Sequence, residues 1–143
     1  MSELSGQCLC GGVSVIAKGA MTEADACHCA MCRRQNAGGA FYAAHFESGV
    51  TFSGDSLKWF SSSDYAERGF CSECGATLSW RMKALPEQAS VSLGVFDNAP
   101  GQISSRIFTD EAGGYEALPT DVPHKTGEQV IAEFMARQSA NKE

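Results

Sequence analysis

Short runs of alternating apolar and polar residues, separated by turn-forming residues, occupy the chain from about residue 13 to residue 108. The segment 91–95 alternates cleanly, which is typical of a strand that buries one face. Turn-forming residues separate the runs, as at 47–49 and 61–64. Short strands at such regular spacing predict an all-β core. The predicted strands cover 13–17, 41–46, 50–52, 57–60, 65–70, 77–80, 91–95 and, more briefly, 107–108.

A helical pattern appears only near the C-terminus. Thr126 followed by Gln129 fits a capping box, in which each residue satisfies a backbone amide of the first turn. Val130, Ile131 and Phe134 then fall on one face of a helix, which predicts a helix over about 127–138. At 143 residues the chain is expected to form a single domain over 1–143, with a core over about 6–118.

The cysteines are the main chemical signal of the sequence. The N-terminus lacks the basic and apolar regions of a secretory signal, and no run approaches the roughly 18 apolar residues of a membrane span. We therefore expect a cytoplasmic, reducing location, where clustered thiols indicate metal binding rather than disulfides. All seven cysteines fall into three clusters: Cys8 and Cys10; Cys27, Cys29 and Cys32; and Cys71 and Cys74.

These spacings suit zinc. Zinc–sulfur bonds of about 2.3 Å require tetrahedral ligands roughly 3.8 Å apart, which cysteines at i and i+2 on a strand, or at i and i+3 around a turn, can supply. Gly75 after the last cysteine would provide the positive φ of such a turn. The sequence alone leaves the grouping open. The two outer pairs could form one closed four-sulfur site, or Cys8 and Cys10 could join the middle cluster.

Other interpretations of the same residues are weaker. A thioredoxin-like role for Cys29 and Cys32 lacks the surrounding βαβ pattern. His28 is expected to point away from the cysteines on either side of it, and His45 is interpreted as a strand residue without a motif. The sequence shows no dedicated general base. A formal charge of −6 disfavours nucleic-acid binding, and no membrane association is expected.

The chain resembles a known family in three motifs taken together. Gln7-Cys8-Leu9-Cys10-Gly11, Cys27-His28-Cys29-Ala30-Met31-Cys32-Arg33 and Phe70-Cys71-Ser72-Glu73-Cys74-Gly75 resemble the cysteine motifs of glutathione-dependent formaldehyde-activating enzymes, the GFA/CENP-V domain. The resemblance runs from about Gly6 to Leu118 and includes Phe41 and Trp80. It implies a mainly β, Mss4-like, zinc-bound β-sheet fold (a β-tent), to which the sequence pattern adds a C-terminal helix.

The resemblance also implies the sites and the chemistry. It implies two zinc ions, one in a closed structural site on Cys8, Cys10, Cys71 and Cys74, and one in an open catalytic site on Cys27, Cys29 and Cys32. The implied activity is that of a carbon–sulfur lyase that reversibly joins glutathione, or a similar thiol, to formaldehyde or another small carbonyl compound. We expect a monomer or homodimer.

Two features bear on the substrate. One of Arg33 and Arg34 would meet a carboxylate of the thiol substrate, unless the two are simply a solvated charge pair. Arg106 and Gly114 replace a histidine and a tryptophan found in many family members.

The alternative function is a non-catalytic, zinc-stabilised module that binds glutathione or a protein partner. A third possibility is that both zinc ions are structural.

Overall fold

The computed structural model describes residues 3–141. They form two compact units, of which the first ends at Gly113 and the second begins at Gly114. The expected single domain over 1–143 stays a prediction. The first unit carries all the strands of the described chain, and the second carries its longest helix. The strands are β1 (Leu4–Gln7), β2 (Ser14–Ala17), β3 (Met21–Cys27), β4 (Phe41–Phe46), β5 (Val50–Ser53), β6 (Leu57–Ser61), β7 (Ala66–Cys71), β8 (Thr77–Met82), β9 (Ala89–Ser92) and β10 (Ser105–Ile107).

The strands form two sheets. A three-stranded antiparallel sheet has the order β1-β2-β5, and a seven-stranded sheet has the order β10-β3-β4-β9-β8-β7-β6. The larger sheet is antiparallel except at its edge, where β10 runs parallel to β3. This arrangement is mainly β and consistent with an Mss4-like fold, as predicted.

The two faces of the larger sheet have different roles because side chains alternate along each strand. Ala44 and its cross-strand partner Val91 belong to the main apolar core. The same core contains Val15, which lies in the smaller sheet, and Val13, which precedes it. The opposite face of β4 carries Ala43, which packs in a second cluster beside the middle group of cysteines. The middle cysteines therefore lie on the face of the sheet that turns away from the main core.

The predicted strands correspond closely to the observed ones, with three main differences. β1 and most of β3 were not predicted, because their sequences mix polar and apolar residues without clear alternation. The strand predicted over 91–95 ends at Ser92 and continues as a 3-10 turn, Leu93–Val95. A short helix α1, Ala30–Gln35, forms in a segment where the sequence shows no helical pattern.

The second unit contains helix α2, Gly127–Ala140, as the capping pattern predicts. Thr126 Oγ1 accepts from the Gln129 amide at 3.2 Å, and Gln129 Oε1 accepts from the Thr126 amide at 2.8 Å. This reciprocal pair explains why the helix begins at Gly127. None of the helices in the described chain is both long enough and apolar enough to span a membrane.

Candidate metal centres

The outer cysteine pairs come together as one four-sulfur cluster. The Sγ atoms of Cys8, Cys10, Cys71 and Cys74 all lie within 4.8 Å of one another. Cys8 follows β1 and Cys71 ends β7, so the cluster joins the smaller sheet to the larger one. The three-dimensional structure thus resolves the grouping that spacing left open, because Cys8 and Cys10 do not join the middle cluster.

The geometry of this cluster fits a tetrahedral metal. Cys10 Sγ lies 3.7 Å from both Cys8 Sγ and Cys71 Sγ, close to the ~3.8 Å expected between thiolates on one zinc ion. The Val13 amide donates to Cys8 Sγ at 3.3 Å, and a backbone hydrogen bond from Ala76 lowers the pKa of the Cys74 thiol to about 6. Such donors stabilise thiolate, the form that binds metal.

The loops of this cluster depend on glycine. Gly11 and Gly75 each follow a cysteine and have φ values of +79° and +78°. Only glycine adopts this left-handed backbone without strain, and it allows the chain to turn tightly after the second cysteine of each pair. The role expected for Gly75 is therefore confirmed.

The middle cysteines form a separate three-sulfur cluster. Cys27 ends β3, Cys29 is the N-cap of α1 and Cys32 lies within that helix. Their Sγ atoms lie within 4.8 Å of one another, and the Cys32 amide donates to Cys29 Sγ at 3.3 Å. Among the residues that the structure describes, no fourth histidine, cysteine or carboxylate completes this group. Three sulfur donors suit a metal with an open coordination position.

Arg68 connects the three-sulfur cluster to the larger sheet. The Arg68 side chain is buried, its Nη1 and Nη2 atoms lie 3.4 and 3.5 Å from Cys32 Sγ, and Nη1 also donates to Gln35 Oε1 at 3.0 Å. Burial raises the pKa of Cys32 to about 12, and hydrogen bonds from Arg68 oppose that rise. The guanidinium would therefore offset the negative charge left by three thiolates around a divalent ion.

His28 lies outside the three-sulfur cluster, as its position between two cysteines predicted. Its side chain is buried, and Nε2 accepts a hydrogen bond from Arg106 Nε at 3.1 Å. The His28 amide donates to Ile107 O at 2.9 Å, so both backbone and side chain bind to β10. Arg106 thus holds the segment that carries Cys27 and Cys29.

A cavity of about 670 Å³ opens beside the three-sulfur cluster. All three cysteines of the cluster line it, as do Trp80 and Arg68. The volume is sufficient for a small organic ligand. The remaining lining residues are Thr22, Asp25, Ala30, Met31, Phe41, His45, Phe46, Glu47, Tyr65, Met82, Gln88, Ala89, Ser90, Ile107, Phe108 and Glu111.

The two arginines expected to contact substrate do not line this cavity. Arg34 is exposed and Arg33 is partly buried. That these arginines bind a substrate carboxylate stays a prediction, and their position outside the cavity does not support it. Arg68, which sequence reasoning missed, is the arginine at the cavity. No local motif marks it, because its contact with Cys32 spans 36 positions in the chain.

His45 also has partners that the sequence did not reveal. It is a strand residue, as predicted, but its ring lies between Asp25 and Ser90 and makes hydrogen bonds of 2.6 Å to each. These residues come from three neighbouring strands, so no spacing rule could have grouped them.

Comparisons with known proteins agree with this picture. Residues 3–111 match the family model of glutathione-dependent formaldehyde-activating enzymes. A crystal structure of a protein from Rhodobacter sphaeroides is similar in fold, with a TM-score of 0.56 and 21% sequence identity. That match covers 71% of this chain and 98% of the other. The comparison with curated proteins gives no match.

Proposed function

The chain belongs to the glutathione-dependent formaldehyde-activating enzyme family, and from this premise we propose that it is a zinc-dependent enzyme of the carbon–sulfur lyase type. Its reaction would be the reversible addition of a thiol, glutathione or a similar one, to formaldehyde or another small carbonyl compound. The observation that carries the proposal is the three-sulfur cluster of Cys27, Cys29 and Cys32 at the wall of a substrate-sized cavity.

The proposal assigns different tasks to the two clusters. Cys8, Cys10, Cys71 and Cys74 would hold a zinc ion with four protein ligands, and that ion would stabilise the junction of the sheets. Cys27, Cys29 and Cys32 would hold a second ion. When bound there, zinc would supply a site at which a thiol is held as its more nucleophilic thiolate.

The residues around the cavity support addition chemistry. The reaction forms a carbon–sulfur bond, breaks the carbonyl π bond and moves the thiol proton to the new hydroxyl, so it needs no further reactant. Phe41 and Trp80 line the cavity with apolar surface, which would limit the access of water to the reacting groups. Arg68 balances the charge of Cys32. The chain would act chiefly by bringing the two reactants together in a fixed orientation.

Exchange spectroscopy tests the activity directly. The rate at which ¹³C-formaldehyde and its thiol adduct interconvert is measured by NMR with and without zinc-loaded protein. We expect the native protein to accelerate the exchange and Cys29→Ser to give no acceleration. Cys10→Ala is not used as a control, because it disturbs the four-sulfur cluster. If thiol binds but the exchange rate is unchanged, the alternative of a non-catalytic binding module is correct.

A further inference from the structure

A cluster of polar residues, Asp25, His45 and Ser90, lies on the cavity wall. His45 Nε2 lies 2.6 Å from Asp25 Oδ1, and His45 Nδ1 lies 2.6 Å from Ser90 Oγ. Asp25 and Ser90 are buried, whereas the His45 side chain is 31% exposed. A carboxylate can only accept a hydrogen bond, so His45 Nε2 carries a hydrogen and donates it to Asp25 Oδ1. All three residues line the cavity.

The arrangement contains serine, histidine and aspartate, but Ser90 is not placed to act as a nucleophile. It lies within β9, where it is paired with His45 on one side and Trp80 on the other. Its backbone therefore belongs to the sheet rather than to a sharp turn that would expose the hydroxyl. The cluster is better suited to binding, because it places a fixed hydrogen-bonding surface in a largely apolar cavity.

The charges around the cavity indicate what this surface can bind. The carboxylates of Asp25, Glu47 and Glu111 line the cavity. Arg68 is the one lysine or arginine among the described lining residues. Both of its Nη atoms contact Cys32, and its Nε is buried and without a hydrogen-bond partner. The lining thus contributes acceptors and negative charge, and it presents no accessible cation to a substrate carboxylate.

The polar cluster lies at a defined distance from the sulfur site. Asp25 and Cys27 are two residues apart on β3, so their side chains point to the same face about 7 Å apart. His45 and Ser90 extend the polar surface from Asp25 across β4 and β9. Glu47 follows the end of β4 and adds a carboxylate to the same cavity.

We propose that Asp25, His45 and Ser90, with Glu47 beside them, form a subsite for the end of the thiol substrate that is remote from its sulfur. The subsite accepts an ammonium or hydroxyl group on an apolar chain and disfavours a carboxylate. Glutathione carries one ammonium group but two carboxylates, so the preferred thiol is one that ends in an amine or alcohol without a carboxylate. This inference rests on the proposed function, because it takes the three-cysteine site as the place where the sulfur binds.

Matched thiols test the subsite. Binding of 6-aminohexanethiol, 6-hydroxyhexanethiol, hexanethiol and 6-mercaptohexanoic acid to zinc-loaded protein is measured by calorimetry, and the His45 ring resonances are followed by NMR. We expect the amine to bind at least about tenfold more tightly than the acid and to shift the His45 signals. Equal or tighter binding of the acid overturns the proposal.

Three substitutions separate the subsite from general effects. Glu47→Gln and Asp25→Asn should each reduce the ratio of amine to acid affinity several-fold, and Asp55→Asn, at an exposed turn outside the cavity, should leave it unchanged. Glu47 is exposed, so its variant tests the charge even if Asp25→Asn fails to fold. A ratio that neither variant changes overturns the proposal.

The same titrations distinguish this proposal from the proposed function. If the expected order of affinities is found but the exchange rate with formaldehyde is not accelerated, the subsite stands and the lyase activity fails. If hexanethiol binds and reacts but the acid binds best, the lyase activity stands and the subsite fails. If none of the thiols binds, both are wrong.

Discussion

Arg68 Nη1 lies 3.4 Å from Cys32 Sγ, which joins strand β7 to the helix that carries the last cysteine of the three-sulfur cluster. The contact places a permanent positive charge against a metal-ligand candidate. Hydrogen bonds of this kind orient a ligand and reduce the negative charge that the metal must tolerate.

Replacing Arg68 should weaken metal binding at the middle cluster. Arg68→Met keeps most of the apolar volume but removes the charge, so we expect zinc affinity there to fall about 10- to 100-fold. A competition titration with a chromophoric chelator measures this. Arg81→Met is the matched control, because Arg81 on the next strand pairs with Glu67 at 2.8 Å and stacks on Trp59 without contacting a cysteine. Equal losses in both variants would contradict the role of Arg68.

Metal binding at the middle cluster should strengthen as pH rises. Burial raises the pKa of Cys32 to about 12, with Arg68 opposing, so the metal-free thiol is protonated at neutral pH. Zinc must displace that proton, and affinity should rise roughly tenfold per pH unit for each proton released. Metal titrations between pH 6 and pH 8, in buffers of different protonation enthalpy, count the protons. A pH-independent affinity would contradict the prediction.

The metal-free protein should show the opposite dependence on pH. A cysteine whose pKa is raised in the folded state stabilises the fold while it stays protonated. The contribution of Cys32 is therefore complete below pH 9, its ordinary pKa, and is lost as pH rises toward 12. Unfolding of metal-free protein and its Cys32→Ala variant, compared across that range, measures the difference. The native protein should lose more stability than the variant as pH rises.

The two clusters should differ in their effect on stability. Cys71 is fully buried within the main core, whereas Cys29 is partly exposed and lies outside it. Cys71→Ser should lower the melting temperature markedly, because it removes a ligand at the junction of the two sheets. Cys29→Ser should lower the zinc content, measured by elemental analysis, and leave the protein folded. Equal destabilisation would mean that both clusters are structural.

Gly6 should tolerate no side chain. A Cβ at this position would lie 1.8 Å from Val95 O, where β1 approaches the segment after β9. Gly6→Ala should therefore reduce the free energy of unfolding by more than about 2 kcal/mol, measured by urea denaturation. Gly101→Ala is the control, because no atom beyond its two chain neighbours lies within 4 Å of its added Cβ. Similar stability of the two variants would show that the smaller sheet can shift.

The sequence by itself determined the features that depend on near neighbours. Cysteines two or three positions apart, as at Cys8 and Cys10, can bring their sulfurs together through a local turn of the chain. The same holds for the Thr126 and Gln129 capping box and for most strands, whose alternation reflects burial of one face. The close spacing of sulfurs within each cysteine pair and the mainly β fold were predictable for this reason.

Only the tertiary structure decided which distant residues share the cavity. The pairing of Cys8 with Cys71, the contact of Arg68 with Cys32 and the placement of His45 between two partners all depend on strand order. Alternation shows which residues face one side of a strand, but it does not show which strand lies beside it. The sequence therefore predicted a reactive sulfur site, and the paired strands determined the charged and apolar walls that surround it.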